Sequence, residues 1–246
     1  MLKLDAIRKL LSIAIAVVLV LALSVAASAS GGGYGVFARS GGFSAGAIPG
    51  EAIFERSADA VFMLETFDRE GKSIRTGSGF FISETGHALT NLHVIEGADR
   101  ATVTLYNGDV YTLRGVHAMS YEFNLAVISI DSNKRDWTYL TLADSDLIET
   151  GNTVYAIGSP LEFVNTMTAG IISNSKREVG DETFIQFTAP ISFGSGGSAL
   201  LNARGQVIGV ASSSFSYGQN LNLAVPINYI KTLQTGQARS LRSVFS

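Results

Sequence analysis

Short apolar or alternating runs, separated by turn residues, fill the chain from residue 60 onwards and constrain its fold more than any other feature. Turn chemistry interrupts them at Glu84-Thr-Gly86, Asn107-Gly-Asp109 and Ala203-Arg-Gly205. Roughly six strands on each side of residue 140 predict an all-β protein built from two packed barrels. The runs cover 60–66, 76–82, 86–91, 101–106, 110–115, 124–130, 138–142, 153–158, 166–172, 183–189, 199–202, 206–212 and 221–225.

Helical signals flank the predicted strands. The segment Glu51–Ala58 predicts a short helix before the first strand. The segment Pro226–Gly236 begins with proline and ends with glycine, which are the usual marks of a short C-terminal helix. The folded domain is therefore expected over 51–236, with the first barrel over about 51–140, the second over about 141–225, and a short tail over 237–246.

The N-terminus predicts export. Basic residues precede an apolar stretch from Leu10 to Ala27, and Ala27-Ser-Ala29 supplies the small residues of a cleavage site. This pattern is typical of a secretory signal over residues 1–29. An uncleaved membrane anchor over residues 10–28 is the alternative, because about 18 apolar residues can just span a bilayer. Membrane contact is expected only in that second case.

Composition narrows the possible chemistry. The chain has no cysteine, which excludes disulfides, thiolate metal sites and cysteine nucleophiles. Its net charge is −3 and no basic run follows the N-terminus, so no nucleic-acid partner is expected. The glycine-rich residues 30–50 lack a periodic apolar pattern and predict a linker. Histidine chemistry is limited to His87, His93 and His117.

Two motifs, one in each half of the domain, could perform acyl transfer. The first, Thr76–Ser83 followed by Leu89–Val94, is typical of a glycine-kinked strand, a turn, and a strand that ends on His93. The second, Ile191–Asn202, is typical of a glycine-serine loop that opens onto a strand. Acyl transfer needs a base, and a nucleophile whose neighbouring backbone N–H groups can hold an oxyanion.

These motifs resemble those of the trypsin-like serine proteases, and the HtrA-type branch most closely. Thr90-Asn-Leu-His-Val94 matches the base-bearing motif of that family, so the resemblance implies that His93 is the general base. It also implies a chymotrypsin-like double β-barrel with a cleft between the barrels, protein or peptide substrates, and no metal or organic cofactor. Four further segments extend the resemblance over roughly residues 51–235: 154–161, 165–173, 206–210 and 221–228.

The position of the catalytic acid departs from the family pattern. The resemblance places an aspartate at the start of a strand reading Asp-Leu-Ala-Val, whereas this chain reads Asn124-Leu-Ala-Val127. An amide oxygen can accept a hydrogen bond from the imidazole, but it brings no charge, and its NH₂ group can select the wrong tautomer. This exchange costs about 10⁴ in turnover in the well-studied triad. Glu122, two residues earlier, is a possible substitute acid.

The nucleophile loop also departs from the pattern Ile-Asn-Pro-Gly-Asn-Ser-Gly-Gly-Pro-Leu-Leu-Asn. Laid over Ile191–Asn202 without a gap, that pattern places the nucleophile on Gly196. A shift of one residue makes Ser195 the nucleophile, which is the better local match, and a shift of two in the other direction makes it Ser198. A loop without a nucleophile is the third possibility. In each case the loop that contains Phe193, Gly194, Gly196 and Gly197 is expected to supply the oxyanion donors.

Two functions are therefore predicted from the sequence. The first is an exported serine-type endopeptidase that acts through an acyl-enzyme, with Ser195 as nucleophile and with low activity because Asn124 is neutral. The second is a catalytically inactive protease fold that binds peptides or regulates other proteins. In that case an exposed strand edge beside the cleft would dock an extended peptide by main-chain hydrogen bonds.

Overall fold

The first barrel is closed by six antiparallel strands in the order β1-β2-β3-β6-β5-β4. Helix α1, Gly50–Ser57, precedes it, and the single-turn helix α2, Leu92–Ile95, follows strand β3. The strands are β1 Val61–Phe67, β2 Ser73–Phe81, β3 His87–Asn91, β4 Arg100–Leu105, β5 Val110–Ser120 and β6 Leu125–Ile130.

The second barrel is likewise closed by six strands, in the order β10-β11-β12-β9-β8-β7. A 3₁₀ helix over Ile227–Thr232 follows it, within the segment predicted to be helical. The predicted double β-barrel is therefore confirmed. The strands are β7 Thr153–Gly158, β8 Thr166–Val179, β9 Glu182–Phe187, β10 Ala199–Asn202, β11 Val207–Ser212 and β12 Asn222–Pro226.

This computed structural model describes residues 46–159, 165–212 and 221–245. The predicted signal segment over 1–29 and the linker as far as residue 45 lie outside the described residues. Within the three described ranges, no helix is long and apolar enough to cross a membrane.

One predicted strand is wrong. Residues 138–142 lie in the connection between the barrels and make only an isolated bridge, from Leu142 to Val207. Their apolar character has another cause, because Leu140 is buried in the cluster between the barrels and its N–H donates to the carbonyl of Phe81. Leu140 is thus apolar because it is buried, whereas Thr138, Tyr139 and Thr141 of the same run are exposed.

Strand β6 shows how the two barrels are held together. Every residue from Leu125 to Ile130 is buried. A strand with one face in solvent would instead alternate between buried and exposed residues. Ala126 and Ile128 point into the core of the first barrel, whereas Leu125 and Val127 join a cluster that also contains residues of the second barrel. Successive side chains of a strand point to opposite faces, so one strand contributes to both cores.

The glycines of strand β2 allow close packing beside the cleft. A Cβ atom at Gly79 would lie 2.4 Å from the ring of Phe62, and one at Gly77 would lie 2.6 Å from the side chain of Val94. Both distances are shorter than real Cβ contacts, so larger residues would push β2 away. Val94 follows His93 directly, and the glycines therefore bring β2 against the segment that carries the histidine.

The tail predicted over 237–246 packs on the first barrel. Arg239 pairs with Val116 of β5 through two backbone hydrogen bonds, of 2.8 and 3.0 Å. Helix α3, Leu241–Val244, follows, and Leu241 is buried in the core of the first barrel. Arg242 binds both carboxylate oxygens of Asp99 at 2.8 and 2.9 Å. The tail is thus an integral part of this barrel.

Substitution of Gly115 tests this packing, because a Cβ atom there would lie 2.5 Å from the carbonyl oxygen of Arg239. Gly115→Ala is expected to lower the free energy of unfolding by about 1–3 kcal/mol, since the added methyl group must displace the tail. Urea denaturation of the full chain measures this. The matched control is Gly236→Ala, where the nearest atom would lie 3.9 Å from the added Cβ. Both variants exchange glycine for alanine, so the effect of that exchange on the unfolded chain is common to both. Equal losses in both variants would contradict the packing.

Candidate active site

The pairing of strands β3 and β6 brings His93 and Asn124 together. Asn91 lies opposite Leu125 in this antiparallel pair, so the residues that follow β3 meet those that precede β6. His93 lies in helix α2 and not on the strand itself, whereas Asn124 ends the turn between β5 and β6. The third part of the site, the loop over residues 191–198, joins β9 to β10 of the second barrel.

The backbone of Asn124 is fixed by its neighbours. Its φ is 49°, in the left-handed region that asparagine and aspartate tolerate better than other non-glycine residues. Its carbonyl oxygen accepts hydrogen bonds from the backbone of Leu92 and from the Nδ2 of Asn91, both at 3.0 Å. The side chain is therefore presented to His93 from a rigid turn.

The contacts of the Asn124 side chain favour one histidine tautomer. Its Oδ1 accepts the backbone N–H of His93 at 2.9 Å, which identifies this atom as the oxygen, because an N–H group only donates. The Nδ2 of Asn124 then lies 2.9 Å from Nδ1 of His93, closer than Oδ1 at 3.2 Å. Since Nδ2 is a donor, the shorter contact favours the neutral tautomer that accepts at Nδ1 and carries its proton on Nε2.

Burial lowers the pKa of His93 below its ordinary value and is the largest influence on it. The contact with Asn124 acts in the opposite direction, because a protonated imidazole could donate to Oδ1. The charge of Arg75 lowers the pKa further and that of Glu96 raises it. The net effect favours the neutral imidazole. Glu122 faces elsewhere: burial, followed by the nearby charge of Glu122, raises the pKa of Glu182.

The loop between β9 and β10 consists of two consecutive turns. The N–H of Ser195 donates to the carbonyl of Ser192, and that of Ser198 donates to the carbonyl of Ser195, both at 3.0 Å. The third residues of these turns are Gly194, with φ 85°, and Gly197, with φ 89°. Type II turns require a positive φ at this position, so the spacing of the two glycines fixes the register of the loop.

Neither serine hydroxyl is directed at His93. The Oγ of Ser195 accepts the N–H of Ser192 at 3.1 Å, and the residue is only 4% exposed. Ser198 is 2% exposed, and its Oγ lies only 1.8 Å from where a Cβ atom on Gly158 would stand. Within the described ranges this hydroxyl has no hydrogen-bond partner, and neither serine bonds to His93.

Gly196 occupies the second position of the second turn. The equivalent residue of the first turn is Phe193, whose side chain is 85% exposed. Gly196 itself is buried, so the exposure of Phe193 does not extend to position 196. Glycine places no functional group there.

Two backbone N–H groups of the loop indicate how the family pattern aligns with it. The N–H groups of Ser195, Gly197 and Ser198 all have carbonyl acceptors, whereas those of Gly194 and Gly196 have none among the described residues. In the well-studied triad the oxyanion donors are the N–H of the nucleophile and that of the residue two positions before it. This spacing favours the ungapped alignment, in which Gly196 stands at the nucleophile position.

Ser78 of strand β2 supports the loop and was missed by reasoning from the sequence. Its N–H donates to the carbonyl of Gly196 at 2.8 Å, and its hydroxyl donates to the carbonyl of Gly194 at 2.9 Å. The same hydroxyl accepts the N–H of Ser159 at 2.9 Å. The only sequence signal was its position between Gly77 and Gly79, where a small polar residue is closely surrounded by backbone.

Comparison with known proteins identifies the family. The model of the trypsin-like peptidase domain matches residues 77–210, which is more than half of the chain. The chain belongs to the trypsin-like peptidase domain family. The matched region contains both motifs of the site, the base-bearing segment and the glycine-serine loop.

Curated relatives agree with the predicted HtrA-type resemblance. A putative serine protease HhoB of Synechocystis is 40% identical over 161 residues, covering 62% of this chain and 38% of the relative. A probable periplasmic serine endoprotease DegP-like of Chlamydia trachomatis is 42% identical over 138 residues, covering 54% and 27%. Human serine protease HTRA4 is 34% identical over 192 residues, covering 73% and 40%. By resemblance this is a serine endopeptidase domain, and it spans less than half the length of these relatives.

The tautomer of His93 can be measured directly. In ¹⁵N-labelled full-length protein, long-range ¹H–¹⁵N spectra at neutral pH should show the His93 proton on Nε2, because the Asn124 amide donates to Nδ1. His117 is an internal reference of the opposite kind: its Nδ1 lies 2.9 Å from the carbonyl oxygen of Gly236, which only accepts, so the proton is on Nδ1. Asn124→Asp should move the His93 proton to Nδ1 and raise its pKa. A wild-type proton on Nδ1 of His93 would refute the assignment.

Proposed function

We propose that this chain binds polypeptides in the cleft of a trypsin-like peptidase domain without hydrolysing them. The observation that carries the proposal is the 2.9 Å contact between Nδ2 of Asn124 and Nδ1 of His93. A general base must offer an unprotonated Nε2 to the serine hydroxyl, whereas this contact favours the tautomer that carries its proton there. His93 is then a hydrogen-bond donor and cannot accept the proton.

The loop supports the same proposal. Its position for a nucleophile is occupied by Gly196, while the hydroxyls of Ser195 and Ser198 are turned into the protein. Two changes that each impair acyl transfer thus occur in one site. The cost of the first change is about 10⁴ in turnover, and without a nucleophile the second leaves no acyl-enzyme to form.

The polypeptide ligand is inferred from the family and from the surface beside the loop. The named relatives are serine proteases, whose substrates are proteins. A cavity of about 160 Å³ adjoins the loop and is lined by uncharged residues, including Thr166, Thr168, Ile191 and Ser192. It is comparable in size to a cavity of about 150 Å³ that admits a benzene ring, and could therefore take one apolar side chain of a bound peptide.

An exported endopeptidase of low activity, with Ser195 as nucleophile, is the second candidate. The observation that favours it is the bonding of the Ser195 hydroxyl, which accepts one hydrogen bond from the N–H of Ser192 but donates none within the described part of the chain. The hydroxyl proton is therefore available to a base if the side chain turns. This candidate also requires Asn124 to orient His93 as a neutral substitute for aspartate.

Restoring the two altered positions separates the candidates. We expect no hydrolysis of fluorescently labelled casein by the wild type or by Asn124→Asp, because neither contains a nucleophile at position 196. The double variant Asn124→Asp/Gly196→Ser should hydrolyse casein about 10⁴ times faster than Gly196→Ser alone, since the aspartate stabilises the imidazolium.

Ser195→Ala, added to the double variant, is the control and should leave the gained activity intact. The second candidate predicts the reverse. In that case Asn124→Asp alone would raise hydrolysis by orders of magnitude, and Ser195→Ala would abolish the gain. Such a result would contradict the proposed function.

Export is proposed from the N-terminus together with the relatives named periplasmic in Chlamydia and Rhizobium. The basic start, the apolar stretch and Ala27-Ser-Ala29 support cleavage after Ala29. N-terminal sequencing of protein produced from the full gene should therefore begin at Ser30. Material that retains Met1 and sediments with membranes would show that the segment is an anchor.

A further inference from the structure

The site presents an unusual set of hydrogen-bond donors. Two are the N–H groups of Gly194 and Gly196, which have no acceptor in the described ranges, and the third is Nε2 of His93. Gly77 lies between the loop and the segment that carries His93. A Cβ atom there would be 3.1 Å from the carbonyl oxygen of Gly196 and 2.6 Å from the side chain of Val94. The loop and the residue next to His93 therefore pack against the same glycine.

This set does not match an internal peptide bond. A peptide carbonyl has one oxygen, which the two loop N–H groups would satisfy, and the Nε2 proton of His93 would then face a site without an acceptor. A carboxylate has two oxygens and accepts only. One oxygen can bind the N–H groups of Gly194 and Gly196, and the other can accept from His93. Backbone N–H groups are a known means of capturing a chain-terminal carboxylate.

Glycine at position 196 lacks the side chain that would compete with the second oxygen. A nucleophilic hydroxymethyl group would occupy the volume between the oxyanion donors and the histidine. In this chain that volume contains no side-chain atoms of residue 196. Glycine at this position thus removes a competitor for the donors that a carboxylate would use.

The charges near His93 are compatible with an anionic ligand. Arg75 of β2 lies close enough to lower the pKa of His93, and its guanidinium donates to the backbone carbonyl of Glu96. The carboxylate of Glu96 is the opposing charge that acts on His93. The cavity beside the loop is lined by uncharged residues, and the segment Ile185–Ile191 contains no carboxylate. The adjoining surface therefore suits an apolar last residue.

We infer that the site binds the free C-terminal carboxylate of a polypeptide with an apolar last residue. The inference rests on the proposed function and specifies its ligand class: chain ends, such as those that a protease leaves, and not internal segments. A polypeptide end places its terminal carboxylate on the loop N–H groups and His93, and its last side chain in the adjoining cavity.

The test compares two probes that differ only at the terminus, N-acetyl-alanyl-alanyl-valine and its carboxamide, titrated into ¹⁵N-labelled full-length protein. The free acid should shift the backbone amide signals of Gly194 and Gly196 and the Nε2 signal of His93. It should bind about tenfold more tightly than the carboxamide, because charge-assisted hydrogen bonds are lost in the latter. Equal affinity of the two probes would overturn the inference.

A head-to-tail cyclic polypeptide, which has no terminal carboxylate, is added as a third ligand and separates failure of the inference from failure of the proposed function. Binding of the cyclic polypeptide but of neither tripeptide would refute carboxylate recognition and leave polypeptide binding in place. Binding of none of the three would refute both proposals.

Variants give an independent test. Gly196→Ser should reduce the affinity for the acid to that for the carboxamide, since its side chain enters the carboxylate volume. Arg75→Gln should weaken binding of the acid by about threefold, because an exposed and partly screened positive charge contributes modestly to binding of an anion. It should leave the affinity for the uncharged carboxamide unchanged. Arg114→Gln, another exposed arginine of the same barrel, is the matched control and should change neither affinity. Equal effects of the two arginine variants, or unchanged acid preference in Gly196→Ser, would contradict the inference.

Discussion

Ser78 connects the two barrels at the point where the site is built. From strand β2 of the first barrel it holds the carbonyl oxygens of Gly194 and Gly196, and its hydroxyl accepts the N–H of Ser159, all at 2.8–2.9 Å. The residue is fully buried, so these hydrogen bonds do not compete with water. They fix the loop of the second barrel relative to His93. The flanking glycines are required because their backbone approaches Val94 and Phe62 too closely for a side chain.

On this framework, Asn124 and Gly196 are the two positions at which the proposed function departs from an active serine protease. An active serine protease combines an oxyanion hole, which donates, with a base that accepts a proton. In the proposed function, the contact of the Asn124 amide with Nδ1 leaves the proton on Nε2 of His93, and Gly196 stands where an active protease has its serine. The site is then a group of donors without a nucleophile. Such a site suits an acceptor-rich ligand.

Much of the fold could be predicted from the sequence, because alternation and turn residues report burial and chain reversal directly. The run at 138–142 misled for a physical reason: residues such as Leu140 are apolar because they fill the space between the barrels, and burial alone does not distinguish a strand from a connection. The prediction of a strand that ends on His93 was wrong, because β3 ends at Asn91 and the single helical turn that contains His93 has too short a pattern to recognise.

The details of the site were less accessible. Serines and glycines alternate over residues 192–198, so shifted alignments of the loop match nearly as well as the ungapped one. Only the turn hydrogen bonds and the positive φ of Gly194 and Gly197 distinguish Ser195, whose hydroxyl is turned inward, from the corner position of Gly196. The tautomer of His93 likewise depends on which atom of Asn124 meets a backbone N–H, and a sequence carries no record of that contact.

Reaction with an activated-serine probe is the most direct test of the central claim that the site has no working nucleophile. A valine diphenyl phosphonate modifies a serine only where an adjacent base has activated it. Intact-mass spectrometry of the wild-type chain after incubation should show no adduct, whereas Asn124→Asp/Gly196→Ser should gain one, located at position 196. A stoichiometric adduct on the wild type, mapped to Ser195 or Ser198, would contradict the claim.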